Sequence, residues 1–127
     1  MATKTTVDSL AADITQTIKD YTDSVVSAIE KEVEATAKAI QADIKAHSPV
    51  NTGDYQKGWS RSKSQRDGAL TYRIYNRTKP SLTHLLEDGH AKRDGGRVEG
   101  KPHITPAEER HIPVMERNIK KIIKDGG

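Results

Sequence analysis

Apolar residues recur every three or four positions from Val7 to Ile44, and this spacing constrains the fold more than any other feature of the chain. Such a recurrence is typical of a helix with one apolar face. No Gly or Pro interrupts the run before Pro49, which disfavours helical geometry at the residue that precedes it. We therefore predict a long N-terminal helix that occupies residues 1–47.

The predicted helix is too long for one small domain to cover. Some forty residues form a rod of roughly 60 Å, whereas the remaining domain should span only ~30 Å. Either the helix breaks around Val25 and Val26, or its apolar stripe packs against another subunit. The stripe fits a free-standing coiled coil poorly, because its period drifts and it contains Ala and Thr. An oligomer interface is the better explanation of the surplus apolar surface.

The segment after this helix predicts a small antiparallel sheet. Residues 50–54 combine Asn, Thr, Gly and Asp, as turns do. Polar and larger residues alternate from Trp59 to Ser64, which indicates an exposed strand. Asp67-Gly68 is a hairpin-turn signal. The return strand runs from Leu70 to Asn76 and places alternate residues on one face, namely Leu70, Tyr72 and Ile74.

Two helices and a loop complete the chain. The segment from Ser81 to Asp88 predicts a short helix that Gly89 ends. Residues 90–101 are rich in Gly and charge, and they predict a loop with a brief strand at Arg97-Val98-Glu99. The last helix has a capping box of Thr105 and Glu108, with Pro106 at its first position and Gly126 at its end.

These elements predict an α+β fold with a long N-terminal helix, a small antiparallel sheet based on a β-hairpin, a short helix and a C-terminal helix. At 127 residues the chain fits a single domain. We divide it into a helical arm (1–47), a β core with a basic loop (48–105) and the C-terminal helix (106–127). Only 33% of the residues are apolar and none is Phe, so the core is thin and a partner or further copies are expected to complete it.

The composition also limits the environment of the protein. Cysteine is absent, which excludes disulfides and thiolate metal sites. The first ten residues lack the basic end and apolar run of a signal peptide. No segment has the ~20 consecutive apolar residues that cross a bilayer. We expect a soluble protein that is made and used without export and does not contact a membrane.

The charge is divided unevenly along the chain. Residues 1–47 carry five basic and eight acidic residues, whereas residues 48–105 carry eleven basic and six acidic ones. This division suggests complementary contacts between copies, or a basic face turned toward an anionic partner. The alternative is two solvated faces with no partner.

Catalytic and metal-binding chemistry finds little support. Four of the five histidines lie in or beside the 90–101 loop, but their spacing matches no metal motif. The pair Gly95-Gly96 lacks the Gly-Lys-Ser/Thr core and the following helix of a phosphate-binding loop. No serine lies in a nucleophile elbow. We predict no enzyme activity, no metal and no cofactor. The competing hypothesis is a metal-dependent enzyme built on His90, His103 and Glu87.

Nucleic-acid binding is a second alternative. Basic residues cluster on the predicted hairpin, and such clusters contact phosphates without reading the base sequence. Few aromatic residues are present to stack on single strands. Basic residues also keep strand edges soluble. The residues predicted to face DNA are Arg61, Lys63, Arg66 and Arg73.

Three short motifs carry a family resemblance. They are Pro49-Val50-Asn51-Thr52-Gly53 after the first helix, Leu85-Leu86-Glu87-Asp88-Gly89-His90 after the hairpin, and Pro102-His103-Ile104-Thr105-Pro106-Ala107 at the start of the last helix. In this order, they resemble the small neck or tail-completion proteins of long-tailed bacteriophages and prophages, which join head and tail. The resemblance covers most of residues 40–115.

The resemblance implies a structural virion component that assembles in the host cytoplasm as a homo-oligomeric ring, expected to be a hexamer. Its partners would be a tail-terminator or tail-tube protein and the head-connector proteins, with nonspecific contact to DNA in the lumen. The 89–101 loop would reach a neighbouring subunit and become ordered on assembly. The predicted subunit and partner contacts are Thr52, Gly53, Glu87, Gly89, His90, Arg93, Gly95, Gly96, Arg97, Pro102 and His103.

Overall fold

The computed structural model describes residues 10–50 and 53–127, and they form a mixed α and β fold. In chain order the elements are β1 (Leu10–Thr17), α1 (Asp23–His47), α2 (Asp54–Lys57), β2 (Trp59–Arg66), β3 (Ala69–Asn76), a 3-10 turn (Pro80–Leu82), α3 (Thr83–Asp88), β4 (Gly89–Ala91), β5 (Arg97–Glu99) and α4 (Thr105–Asp125). The predicted α+β class is confirmed.

The segment Leu10–Thr17 is a strand, so the helix predicted over residues 1–47 was wrong in this part. Leu10, Ile14 and Ile18 are four residues apart, and an even spacing is compatible with the alternation of a strand as well as with a helix. A shift in register between Leu10 and Ala12 places Leu10 opposite Tyr75, so Leu10 does not share the face of Ile14. Ala12 and Ile14 are buried, whereas Asp13, Thr15 and Thr17 are exposed. Antiparallel pairing with β3 provides hydrogen-bond partners for the backbone N–H and C=O groups of this segment. Val7 lies outside the described residues.

Helix α1 begins at Asp23 because Thr22 caps it, accepting a hydrogen bond from the N–H of Val25 at 3.3 Å. It continues without a break through Val25 and Val26 and ends at His47, where the sequence predicts an end. Its 25 residues span ~37 Å.

The apolar stripe of α1 is covered within the chain. The helix packs on β2 and β3 on one side and on α4 on the other. Each apolar residue on its inner face is 5% exposed or less, namely Val25, Ile29, Val33, Ala37, Ile40 and Ile44. The surplus apolar surface inferred from a forty-residue rod is therefore absent from α1, and this stripe gives no support to an oligomer interface.

Strand β3 lies at the centre of a three-stranded antiparallel sheet, between β1 and β2. The hairpin that joins β2 to β3 turns at Asp67 and Gly68, with φ of 55° and 75°. Positive φ at both central residues is the geometry that favours Asp-Gly. The predicted hairpin is confirmed. The buried residues of β3 alternate as predicted and pack against α1: Leu70, Tyr72, Ile74 and, at the end of the strand, Asn76.

Helix α4 lies antiparallel to α1. Side-chain contacts join Asp43 to Arg110 near one end, and Asn118 donates to Glu32 at 2.9 Å further along. Met115 and Ile119 are buried against α1. The predicted end of the helix at Gly126 is confirmed, since this residue has a φ of 80°.

Candidate functional site

Three aromatic rings pack edge to face where α2, β2 and the start of α4 meet. The ring centroids of Tyr55 and Trp59 lie 5.4 Å apart. The ring of His103 lies 5.6 Å from that of Tyr55 and 6.1 Å from that of Trp59. All three side chains are buried. We call these three residues, together with Glu87, the junction.

Hydrogen bonds fix the orientation of the His103 ring. Its Nδ1 lies 2.7 Å from the carbonyl oxygen of Lys101, and a carbonyl can only accept. Nδ1 therefore carries a proton, and in the neutral imidazole Nε2 accepts a hydrogen bond from the hydroxyl of Tyr55 at 2.7 Å. Burial, aided by the nearby Glu87 carboxylate, raises the pKa of Tyr55 to about 12. The phenol thus stays protonated and available as a donor.

Glu87 reaches from α3 to cap the first turn of α4. Its Oε1 accepts hydrogen bonds from the backbone N–H of His103 at 2.8 Å and of Ile104 at 2.9 Å, and its Oε2 accepts from that of Thr105 at 3.0 Å. Burial alone would raise the pKa of Glu87, but these three bonds outweigh it, and the pKa is lowered. The carboxylate is therefore held in its charged form.

The capping box predicted at Thr105 was wrong. Ile104 is the N-cap residue of α4, and no side chain of that residue caps the helix. Burial, together with repulsion from Glu87 and Glu109, raises the pKa of Glu108. The carboxylate of Glu87, from α3, caps the helix in place of the predicted pair Thr105 and Glu108. Tertiary contacts of this kind can satisfy the free backbone N–H groups at a helix start.

Two buried polar side chains that the sequence did not predict as site residues, Ser48 and Asn76, form hydrogen bonds with the junction or its backbone. The Nδ2 of Asn76 donates to the carbonyl of Tyr55 at 2.7 Å, and its Oδ1 accepts from the N–H of Lys79 at 2.9 Å. The indole N–H of Trp59 donates to the Oγ of Ser48 at 2.7 Å. The sequence signal for either residue is its position, since Ser48 directly follows α1 and Asn76 is the last residue of β3.

The hairpin of β4 and β5 lies between Glu87 and His103 of the junction in the chain. We call residues 89–101 the tongue. Its base is closely packed. Gly89 has a φ of 79°, and a Cβ there would lie 2.3 Å from the carbonyl oxygen of Val98. A Cβ on Gly100 would lie 2.5 Å from the carbonyl oxygen of Glu87. The N–H of Lys101 donates to the carbonyl of Leu86 at 2.7 Å. The predicted brief strand at Arg97–Glu99 is confirmed.

The tip of the tongue is exposed. Lys92, Arg93, Gly95 and Gly96 all face solvent, and the two glycines have φ of 104° and 80°. A Cβ on Gly95 would meet no atom within 4 Å. The tongue thus combines a fastened base with a tip that makes few contacts to the rest of the described chain.

A comparison with protein families identifies the chain. The family model described as "Bacteriophage HK97-gp10, putative tail-component" matches residues 12–89, which is more than half of the sequence. The chain belongs to this family of phage tail components. Searches of curated proteins and of solved structures gave no match.

Membership in the HK97-gp10-like family confirms the resemblance to phage tail proteins. The matched span runs from β1 to Gly89, so most of the tongue and all of α4 lie beyond it. The structure brings the second and third motifs together at the junction, where Glu87 belongs to the second and His103 to the third, and Tyr55 lies two residues after the first motif. In this family member, the motifs therefore organise the connection between the sheet and α4.

The predicted contact residues fall into two groups. Glu87 and His103 bond within the chain, and His103 has no exposed surface. The others in the described chain keep at least part of their surface open: Gly53, Gly89, His90, Arg93, Gly95, Gly96, Arg97 and Pro102. Thr52 lies outside the described residues. Interface roles for the open group stay predictions.

The four residues predicted to face DNA do not share one face of the sheet. Arg61 and Lys63 pair across the strands with the buried residues Ile74 and Tyr72, so they lie on the α1 side. Arg61 donates to the side-chain oxygen of Gln41 at 2.6 Å. Arg73 lies on the opposite, open face, where its guanidinium is 3.7 Å from Asp13.

Arg66 shares the open face with Arg73, because it is three and five residues from Lys63 and Arg61 along the strand. The predicted cluster is therefore divided in two, and two of its four cations are already engaged within the chain.

The described residues offer neither a metal site nor a membrane-spanning helix. No group of three or more His, Asp or Glu among residues 10–50 and 53–127 could hold a metal ion. None of the helices in the described part of the chain is both long enough and apolar enough to span a bilayer.

Proposed function

We propose that this tail component forms a homo-oligomeric ring of six copies in the phage neck, where it completes the tail and joins it to the head connector. Membership in the tail-component family is the observation that carries the proposal. The ring would meet a tail-terminator or tail-tube protein on one side and a head-connector protein on the other. Its role would be structural, without a chemical reaction.

The tongue is the best candidate for the contact between neighbouring subunits. Its base is fixed to α3 and α4 by the junction, so the direction in which the tongue leaves the body is defined before any partner binds. Its tip has open backbone and the exposed cations Lys92 and Arg93. Preorganisation of this kind reduces the entropy cost of binding.

Exposed apolar side chains lie on the tongue and on α3, which directly precedes it. Leu85 on α3 is 42% exposed and Val98 on β5 is 39% exposed. Aliphatic side chains flanked by charge are suited to the centre and rim of a protein interface. This surface replaces the stripe of α1 as the proposed site of subunit contact.

The test is reconstitution with tails that lack this component. Native mass spectrometry should show six copies per tail, and electron microscopy should show a ring at the tail end that faces the head. The double variant Lys92→Glu/Arg93→Glu should lose incorporation. The control Lys31→Glu/Lys45→Glu makes the same change in charge on the exposed face of α1 and should incorporate normally.

Two results would contradict the proposal. Tails that never bind the wild-type chain would exclude a ring at this position. Equal loss of incorporation in the tongue variant and in the α1 control would show that net charge, and not the tongue, governs assembly.

A further inference from the structure

The outward face of α4 carries a run of positive charge, separate from the hairpin residues that the sequence predicts to face DNA. Residues 117–124 hold four cations and no carboxylate, namely Arg117, Lys120, Lys121 and Lys124. All four are exposed. With 3.6 residues per turn, positions separated by three, four and seven residues lie along one side of a helix. We call these four residues the cationic face.

The cationic face is held on a rigid support. The opposite side of α4 packs on α1 through Met115 and Ile119, both 6% exposed or less. None of the four cations forms an ion pair within the part of the chain that the structure describes. Lys121 borders an open groove that Glu32 and Asp125 also line, whereas the other three cations do not line it. Their charge is therefore available to a partner.

The dimensions of this face fit a nucleic-acid backbone. From Arg117 to Lys124 the helix rises ~10 Å. A duplex carries one negative charge per ~1.7 Å of its axis, so the same length of DNA presents about six phosphates. Four cations along one helix can contact several of them without reading any base.

The composition of the face favours DNA over a protein partner. Three of the four residues are Lys, a residue type that is depleted at protein interfaces, whereas Arg and aromatic residues are enriched there. The hairpin offers a weaker surface for phosphates, since its four cations are divided between two faces and two of them are engaged with Gln41 and Asp13.

We propose that the cationic face of α4, made by Arg117, Lys120, Lys121 and Lys124, is a sequence-independent binding surface for the phosphate backbone of duplex DNA. This inference goes beyond the proposed ring and does not depend on it. A single copy of the chain already presents the whole surface.

The test measures the affinity of the full-length chain for a fluorescent 30-base-pair duplex by anisotropy, over a range of salt concentrations. For the wild type, log K should fall with log[salt] at a slope of about −3.6, because each of four neutralised phosphates contributes about −0.9. The quadruple variant Arg117→Gln/Lys120→Gln/Lys121→Gln/Lys124→Gln should reduce the slope to near zero and weaken binding at low salt at least tenfold. Two unrelated duplex sequences should bind the wild type equally.

The matched control removes the same number of charges from the hairpin, as Arg61→Gln/Lys63→Gln/Arg66→Gln/Arg73→Gln. It should keep the wild-type slope and an affinity within about twofold. Circular dichroism and thermal unfolding of both variants establish that each is folded before binding is compared.

Three outcomes would overturn the proposal. The wild type could fail to bind the duplex at low salt. The hairpin control could lose binding while the α4 variant keeps it. The α4 variant could bind DNA normally but abolish a salt-sensitive self-association in sedimentation, which would assign the face to an acidic protein surface. Loss of DNA binding in a variant that still enters tails would support the proposal and leave the ring intact.

Discussion

The carboxylate of Asp43 on α1 accepts two hydrogen bonds from Arg110 on α4, from Nε at 2.9 Å and from Nη2 at 2.6 Å. The same carboxylate lies 2.9 Å from Nε2 of His111 and 2.8 Å from Nδ1 of His47. These contacts fasten the last turns of α1 to the first turns of α4. Because they involve an ionised carboxylate, they also make the stability of the helix pair depend on pH.

We expect this fastening to weaken in acid. Hydrogen bonds from Arg110 are the largest cause of a pKa for Asp43 that lies well below its usual value of 3.8. A carboxyl whose pKa is lower in the folded chain stabilises the fold above the unfolded pKa, and this stabilisation is lost as pH falls through the folded pKa. Urea unfolding should show Asp43→Asn as less stable than wild type at pH 7, with the gap closing below about pH 4.

Glu34→Gln serves as the control for Asp43→Asn. Glu34 also lies on α1, but its ion pair with Lys38 is exposed and 3.6 Å long. This variant should change the free energy of unfolding by a few tenths of a kcal/mol. A difference in the free energy of unfolding between Asp43→Asn and wild type that stays constant from pH 7 to pH 2 would contradict the lowered pKa of Asp43.

Loss of the Glu87 carboxylate should destabilise the start of α4. Glu87→Ala leaves three backbone N–H groups without their acceptor, and we expect a loss of about 2 kcal/mol in the free energy of unfolding. Hydrogen exchange at Ile104 and Thr105 should accelerate together with that loss. The adjacent Asp88→Ala is the control, because the Asp88 carboxylate is exposed and lies 4.0 Å from His84. Unchanged exchange at Ile104 in Glu87→Ala would exclude the cap.

The Tyr55 hydroxyl should contribute measurably to the junction. Tyr55→Phe keeps the ring but leaves the buried Nε2 of His103 without a donor, so we expect a loss of about 1–2 kcal/mol. The imidazole resonances of His103 should shift in the same variant. Tyr75→Phe makes the same chemical change on the half-exposed face of β3 and should be close to neutral. Equal effects of the two variants would argue against the hydrogen bond.

The base and tip of the tongue should differ in their tolerance of a methyl group. Gly89→Ala drives a Cβ against the carbonyl of Val98, whereas the Cβ of Gly95→Ala meets open space. Both positions have positive φ, so both should lose about 1–2 kcal/mol from backbone strain. Gly89→Ala should lose more stability than Gly95→Ala and should accelerate hydrogen exchange across β4 and β5. Identical unfolding curves for the two variants would show that the base can relax.

Local sequence signals predicted the parts of the fold that are held by local contacts. The Asp67-Gly68 turn, the alternation of β3, the short helix before Gly89 and the end of α4 at Gly126 were all correct. Each depends on backbone geometry within a few residues, which composition and spacing determine.

The errors arose where a distant partner decides the outcome. A spacing of four residues is compatible with helix and strand alike, so the pairing of β1 with β3 could not be read from residues 10–18. A local capping box was present, but Glu87 from another element occupies the N–H groups instead. The junction motifs were visible as short strings, whereas their meeting at Tyr55 and His103 is a property of the assembled fold.

The position of β1 has a consequence for how the chain acquires its structure. The hydroxyls of Thr15 and Thr71 are 3.0 Å apart across the sheet, yet the residues are separated by 56 positions in the chain. A contact of such long range forms only after a large loop has closed, at an entropic cost that local hairpins avoid. We therefore expect the β2–β3 hairpin to form early and β1 to dock late, so that one edge of β3 stays open during folding, when neighbouring copies can pair with it.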